Sequence, residues 1–284
     1  MPERILPNSV LRAPVRDAPL APDSAHLVAH LVEQVKSGPY GPVPALNTTQ
    51  YGVGVYTVSD QPYVPVLFRD EQRKGYLPDI FAPEVTAGGK VLRPAGSCAW
   101  APIPPDAKPS PGTDGALSVY EPATGRLWNF WRAQRAVDGS WSAVWAGHVP
   151  DTRVADGRFT GYSGTSASGL VMEEMVVGVA EARARRITHA IGLAITNVAM
   201  GAASFPAVRT DGNSPAANAL HEGRRFRLRA DVDLTALRTT PNWAGKTLPL
   251  ANLTYDIALA AKEYGFVICD RSYGVSIGCE MGTP

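Results

Sequence analysis

Residues 120–146, YEPATGRLWNFWRAQRAVDGSWSAVWA, decide the fold class. Aromatic and β-branched runs, LWNFWRAQ and WSAVWA, alternate with EPATG and AVDGS, where Thr-Gly and Asp-Gly place residues that tolerate positive φ. The pattern predicts an antiparallel meander with Trp128, Trp131, Trp141 and Trp145 alternating along it. Upstream, YGVGVYTV (51–58), PYVPVLFR (62–69) and ALSVYEP (116–122) read as further strands, with PGTDG (111–115) as another break. Downstream, ARRITHAIGLAITN (184–197) places Ile187, His189, Ile191, Leu193 and Ile195 on one face by period two. GRRFRLRADVDL (223–234) alternates Arg225, Arg227 and Arg229 with Phe226 and Leu228, the arginines forming a solvated face, and FVICD and GVSIGCE close the chain as strands.

Two segments carry the helical period instead. SAHLVAHLVEQVKSG (24–38) begins at Asp23 or Ser24, stripes Leu27, Val28, Leu31, Val32 and Val35, and stops at Gly38. LANLTYDIALAAKEYG (250–265) stripes Leu253, Ile257, Ala260, Ala261 and Tyr264 and ends on Gly265 as the C′ residue. SGTSASGLVMEEMVVG (163–178) predicts a small-residue loop running into a helical turn, with Glu173 and Glu174 favoured early in it by the macrodipole. The expected architecture is mainly β: an antiparallel, jelly-roll-like β-sandwich with two or three short peripheral helices. Residues 1–23, rich in proline, form an extended N-terminal arm, and 24–284 form one domain.

Composition bounds the function. The 284 residues hold 27 Lys+Arg against 26 Asp+Glu, a net charge of +1, so the basic excess of a nucleic-acid surface is missing. Only 19% of residues are charged, which suits a neutral polar partner such as a glycan or another protein. No apolar run approaches about 18 residues, so no membrane insertion is expected. The first residues, MPERILPNSVLRAP, lack the pattern of a signal peptide, which predicts work inside a cell or release by a route that needs no signal. Cys98, Cys269 and Cys279 show no metal spacing and read as buried small residues; whether Cys269 and Cys279 pair across a terminal hairpin is left open. GxGxxG, P-loop, GxSxG and HExxH motifs are missing, and no cofactor is expected.

Several residues are candidates for chemistry. His189, on an apolar strand face, is either a base pointing into a cleft or a core histidine bonded to the backbone. Arg209 and Asp211 stand in FPAVRTDG, either at the mouth of a cleft or in a plain Asx turn, and Asp270 ends FVICD. Together with Glu222 these carboxylates are of the kind a glycosidase pairs, or a polysaccharide lyase uses beside a base. Arg209, Glu222, Trp128 and Trp131 are candidate binding residues; the tryptophans either stack on sugar or fill the core, with the core favoured. His26 and His30 have helical i, i+4 spacing, but no third ligand accompanies them and no metal site is expected.

A resemblance adds to this reading. SGTSASGL, the acidic EE turn, RRITHAIGLAI, FPAVRTDG, LHEGRRFRLRADVDL and EYGFVICDRS follow one another in order, preceded by RAPVRDAPLAPDSAHLVAHL and PPDAKPSPGTDGALSVYEPATGRLWNFWRAQ. In this order the chain, from about residue 12 to 280, resembles a family of actinobacterial extracellular β-sandwich proteins of undefined activity, whose members also resemble minor tail proteins of actinobacteriophages. The resemblance implies a virion protein, a minor tail or tail-tip component assembled in the host cytoplasm, which meets other tail proteins through its N-terminal arm, works as an oligomer within the particle, and contacts the host envelope or its glycans. The alternatives are an extracellular cell-wall polysaccharide hydrolase or lyase using His189 with Asp211 or Asp270, and a carbohydrate-binding module without turnover.

Overall fold

The computed structural model describes residues 5–74, 78–81, 97–161, 163–238 and 250–282. Residues 1–4 of the expected arm lie outside them. The fold is mainly β. In chain order the strands are β1 (Ala45–Asn47), β2 (Val53–Thr57), β3 (Val64–Phe68), β4 (Cys98–Ala101), β5 (Leu117–Glu121), β6 (Arg126–Trp131), β7 (Gln134–Arg135), β8 (Trp141–Ala143), β9 (Trp145–Val149), β10 (Ile191–Ile195), β11 (Arg225–Phe226), β12 (Phe266–Arg271), β13 (Ser276–Gly278) and β14 (Glu280–Met281). The α-helices among the described residues are α1 (Ser24–Lys36), α2 (Val179–Ala184) and α3 (Leu250–Glu263).

Three sheets form, ordered β1-β13-β10-β12-β11, β14-β2-β5-β6-β9 and β4-β3-β8-β7. They are mixed, which corrects the expectation of antiparallel sheets. The hairpins read from turn sequences are antiparallel, as in β5–β6 and β7–β8. Pairs between strands distant in sequence run both ways: β1–β13, β10–β12, β14–β2, β2–β5 and β3–β8 are parallel, whereas β3–β4, β10–β13 and β11–β12 are antiparallel. A parallel pair needs a long crossover, and the chain between β10 and β12 supplies one that includes α3. The meander over 120–146 is also divided. After β6 the chain leaves its sheet, forms the β7–β8 hairpin in the third sheet, and returns as β9 beside β6. Val144, between Trp141 and Trp145, is where it crosses. Trp128 and Trp141 therefore belong to different sheets yet share one apolar cluster with Tyr56, Val66, Phe81 and Phe130.

The helices cover the first sheet. Leu27 of α1 and Ile257 and Ala260 of α3 pack with Ile191, Leu193, Ile195, Ile268 and Ile277. The α1 stripe is narrower than its sequence period suggests: Val28 and Val32 are each 42% exposed, whereas Gln34 is buried. The strand expected over 223–234 is reduced to β11, and its arginines do not form a solvated face: Arg225 and Arg227 are partly buried and donate to main-chain carbonyls of the N-terminal segment, Arg225 to Ala13, and Arg227 to Val15 and Ala18. The segment is held elsewhere too. The Leu6 amide donates to buried Glu174 at 3.1 Å and the Val15 amide to the Glu263 carbonyl at 2.8 Å, while Ile5, Leu6 and Leu11 are buried. Residues 5–18 are thus pinned against the rest of this chain, with Ile5, Leu6 and Leu11 in its core. Glu173 and Glu174, expected in a dipole-stabilised helical turn, lie in a short 3-10 turn, Met172–Glu174, and are buried. Glu173 accepts the Ser118 hydroxyl, and burial raises its carboxyl above the usual range.

Candidate functional site

The parallel pair β10–β12 places Ala194 beside Asp270 and Ile195 beside Arg271, so both strands deliver their carboxyl ends to the same edge. The chain leaving β10 is fixed at once. Gln34 of α1 accepts the Thr196 amide at 3.1 Å, the Thr196 hydroxyl at 2.9 Å and the Asn197 amide at 2.8 Å. The loop beyond folds on itself through bridges Val198–Leu220 and Ala199–Ser214. Two glycines set the carboxylates it carries. A Cβ on Gly212, just after Asp211, would stand 2.0 Å from the Ala199 carbonyl oxygen. Gly223, just after Glu222, has φ +86° and would put a Cβ 1.7 Å from the Ser204 oxygen. The Gly223 amide donates to the Ile268 carbonyl at 2.7 Å, which docks Glu222 against β12.

Asp211, Glu222 and Asp270 converge: one oxygen from each lies within 4.8 Å of the other two. Glu222 is fully buried, and neither of its carboxylate oxygens has a hydrogen-bond partner. The Thr210 hydroxyl beside it is engaged with the Ala199 carbonyl and the Gly212 amide. Asp270 is partly buried and Asp211 stands exposed at the rim. The cation seen at the cluster is Arg271, 3.8 Å from Asp211. Burial, and then the charges of Asp211 and Asp270, push the Glu222 carboxyl up to about 8, against the nearby Thr210 hydroxyl and Asp211 amide, which pull it down although neither stands in good hydrogen-bond geometry. Burial, followed by the charge of Asp211, pushes Asp270 up to about 7. Asp211 is also raised, mainly by burial, with Arg271 opposing the shift. The Cys269 thiol, which feels all three carboxylates, is raised well above its ordinary value by burial. These raised values keep Glu222 largely protonated and Asp270 partly so at neutral pH; only with all three carboxylates ionised does the cluster, less the Arg271 guanidinium, carry about two negative charges.

All three acids stand out in the sequence; the structure brings them together and leaves His189 apart. His189 precedes β10 at its opposite end, roughly 16 Å along the sheet from Asp270 at ~3.3 Å per residue. Its ring is fully buried, with Nδ1 2.8 Å from the Ala190 carbonyl and Nε2 3.1 Å from Glu181. Both ring nitrogens face acceptors, so the imidazole and Glu181 form a compensated pair. Arg209, two residues before Asp211, donates to the carbonyls of Ser163, Gly164 and Ser166 at 2.6, 2.8 and 2.9 Å and so ties down the small-residue loop. Trp128 is 3% exposed, in the core, and stacks on His148 at 5.2 Å between centroids. Trp131 is half-buried, with its indole N–H 3.2 Å from Asp114.

Three residues on the segments that carry the cluster escaped the sequence reading. Arg271 follows Asp270 on a strand, where alternation gives no hint that it reaches Asp211. Phe205, 70% exposed, stands next to Ser204, whose amide donates to the Glu222 carbonyl at 2.7 Å. Tyr273, 81% exposed, stands three residues after Asp270. Exposed rings on the segments that carry the carboxylates are the signal, and it requires the fold to see it. All three cysteines are free, so Cys269 and Cys279 do not pair. His30 of the expected i, i+4 pair hydrogen-bonds Asn218 at 3.3 Å. No helix among the described residues is long and apolar enough to cross a membrane. Comparison with protein-family models, with curated proteins and with solved structures finds no match to this chain.

Proposed function

We propose that this chain is a virion component, a minor tail or tail-tip protein, and that it contacts a glycan of the host envelope at the carboxyl edge of β10 and β12. The observation that carries the contact is the cluster of Asp211, Glu222 and Asp270 on segments that also present the exposed rings of Phe205 and Tyr273. Carboxylate oxygens accept hydrogen bonds from sugar hydroxyls, and aromatic faces cover the apolar faces of sugar rings. The near-neutral charge suits a neutral glycan, and the tail assignment rests on the order of sequence motifs. A jelly-roll-like stacking of the sheets belongs to the same proposal. Because residues 5–18 are packed on their own chain, contact with neighbouring tail proteins falls to outward residues of the segment such as Leu20, 68% exposed.

The test is binding of the full chain to purified actinobacterial cell-wall polysaccharide. Phe205→Ala and Tyr273→Ala are each expected to weaken binding about tenfold, roughly the loss of one aromatic contact. Absence of binding to walls and to intact cells overturns the glycan reading. Absence of the chain from purified particles, checked by mass spectrometry, overturns the virion reading. Release of sugar fragments on incubation favours the hydrolase or lyase alternative, with Asp211 and Asp270 as its groups.

A further inference from the structure

We propose that Asp211, Glu222 and Asp270 form a binding site for a divalent cation of calcium size. The site stands on geometry. The donors are hard carboxylate oxygens, the set that calcium and magnesium prefer. Two ligands of one ion lie at most twice the metal–oxygen distance apart. Calcium, at about 2.3–2.6 Å, allows separations up to roughly 4.6–5.2 Å, whereas magnesium, at about 2.0–2.1 Å, allows only about 4.2 Å. The three oxygens lie within 4.8 Å of one another, an upper bound that calcium's sphere spans without movement of the loops; the preference for calcium over magnesium rests on the several positions left open to flexible oxygen coordination.

Glu222 is the second observation. A fully buried carboxylate with both oxygens unpartnered, aimed at two other carboxylates, is costly unless a cation completes the group. With a cation bound and all three carboxylates ionised, the group less the Arg271 guanidinium carries about −2, the complement of one divalent ion. Asp114, the further acid whose charge reaches Asp270, adds to the attraction, and Arg209 is turned toward the main chain of 163–166. Three protein ligands leave several calcium positions open, on the side of exposed Asp211. Vicinal hydroxyls of a sugar fit those positions, and this last step alone rests on the glycan reading above.

The experiment needs no glycan. The full chain is stripped with EDTA and dialysed, then titrated with calcium chloride by calorimetry, with magnesium chloride and sodium chloride as parallel titrants, and its melting is followed with and without each salt. One calcium per chain and a melting temperature raised by about 5 °C near saturation are expected, with weaker magnesium binding and no response to sodium. Glu222→Gln and Asp270→Asn should each cut calcium affinity at least about tenfold. Asp211→Asn, at the exposed rim where folding is spared, should do so as well. No heat and no change in melting with calcium overturns the site, as does an equal response in wild type and all three variants. Magnesium binding as tight as calcium overturns the size assignment.

Discussion

The two ends of β10 carry two buried acidic groups of opposite character. At the amino end, Glu181 meets His189 at 3.1 Å and accepts the Gly178 amide at 3.1 Å, so its charge is answered by the protein. At the carboxyl end, Glu222 is equally buried but faces Asp211 and Asp270, and its oxygens go without a hydrogen bond. Burial alone does not distinguish structure from function here. What separates the two ends is whether the fold supplies the countercharge. The first end needs nothing from outside, and the second is complete only with a ligand.

Removing the countercharge where it exists gives the largest effect. His189→Ala leaves a cavity and takes the imidazole from a buried pair, and should cost about 4 kcal/mol in urea unfolding while calcium binding by the folded protein is unchanged. Loss of calcium binding in a folded His189→Ala protein would join the two ends into one site. His148 provides the next test, as a histidine without a carboxylate partner. Its ring stacks on Trp128, its Nε2 has no hydrogen bond, and burial, then the charge of Arg126, lowers it to about 4. Its unfolded value of about 6.5 lies above this, so between those values the unfolded chain binds more protons. Its contribution is therefore fully present above pH ~6.5 and lost as pH falls toward 4, by about 2 kcal/mol after discounting for its partial exposure. His148→Phe should flatten that part of the pH–stability curve.

Smaller effects belong to the carboxyl end. Above about pH 8, where Glu222 ionises, Glu222→Gln removes an unanswered buried charge and should stabilise the calcium-free protein by about 1 kcal/mol, the reverse of the loss at His189. Destabilisation of that size instead would mean the carboxylate is already answered, and would erase the contrast. Tyr273→Ala should change stability by less than about 0.5 kcal/mol, since the ring is 81% exposed; a larger loss would place it in the packing instead of at the ligand.

Much of the local structure was legible in the sequence. The periods of 24–36 and 250–263 gave α1 and α3, and Gly265 takes φ +78° after α3 as its C′ role requires. The hairpins at EPATG and AVDGS follow from Thr-Gly and Asp-Gly turn chemistry, with Gly125 and Gly139 at positive φ. Strand partners were less legible, because alternation marks which face a side chain takes but not which strand lies beside it. The division of the Trp-rich meander at Val144 and the parallel β10–β12 pair both lie beyond that limit. At the site, Asp211, Glu222 and Asp270 stood out as acids in turn-rich or strand-end contexts, but so did His189, and nothing local separated it from them.

The sequence by itself determined the β-rich class, the helices, the turns and the near-neutral charge, because propensity, turn chemistry and composition act over a few residues or over the whole count. Only the tertiary structure decided that residues 211, 222 and 270 share one point in space and that His189 does not. Those positions are brought together by the β10–β12 register, by the hold of Gln34 on the loop, and by two glycines whose Cβ atoms would strike Ala199 and Ser204. Each is a contact between residues far apart along the chain, and such contacts form only once the whole core has closed.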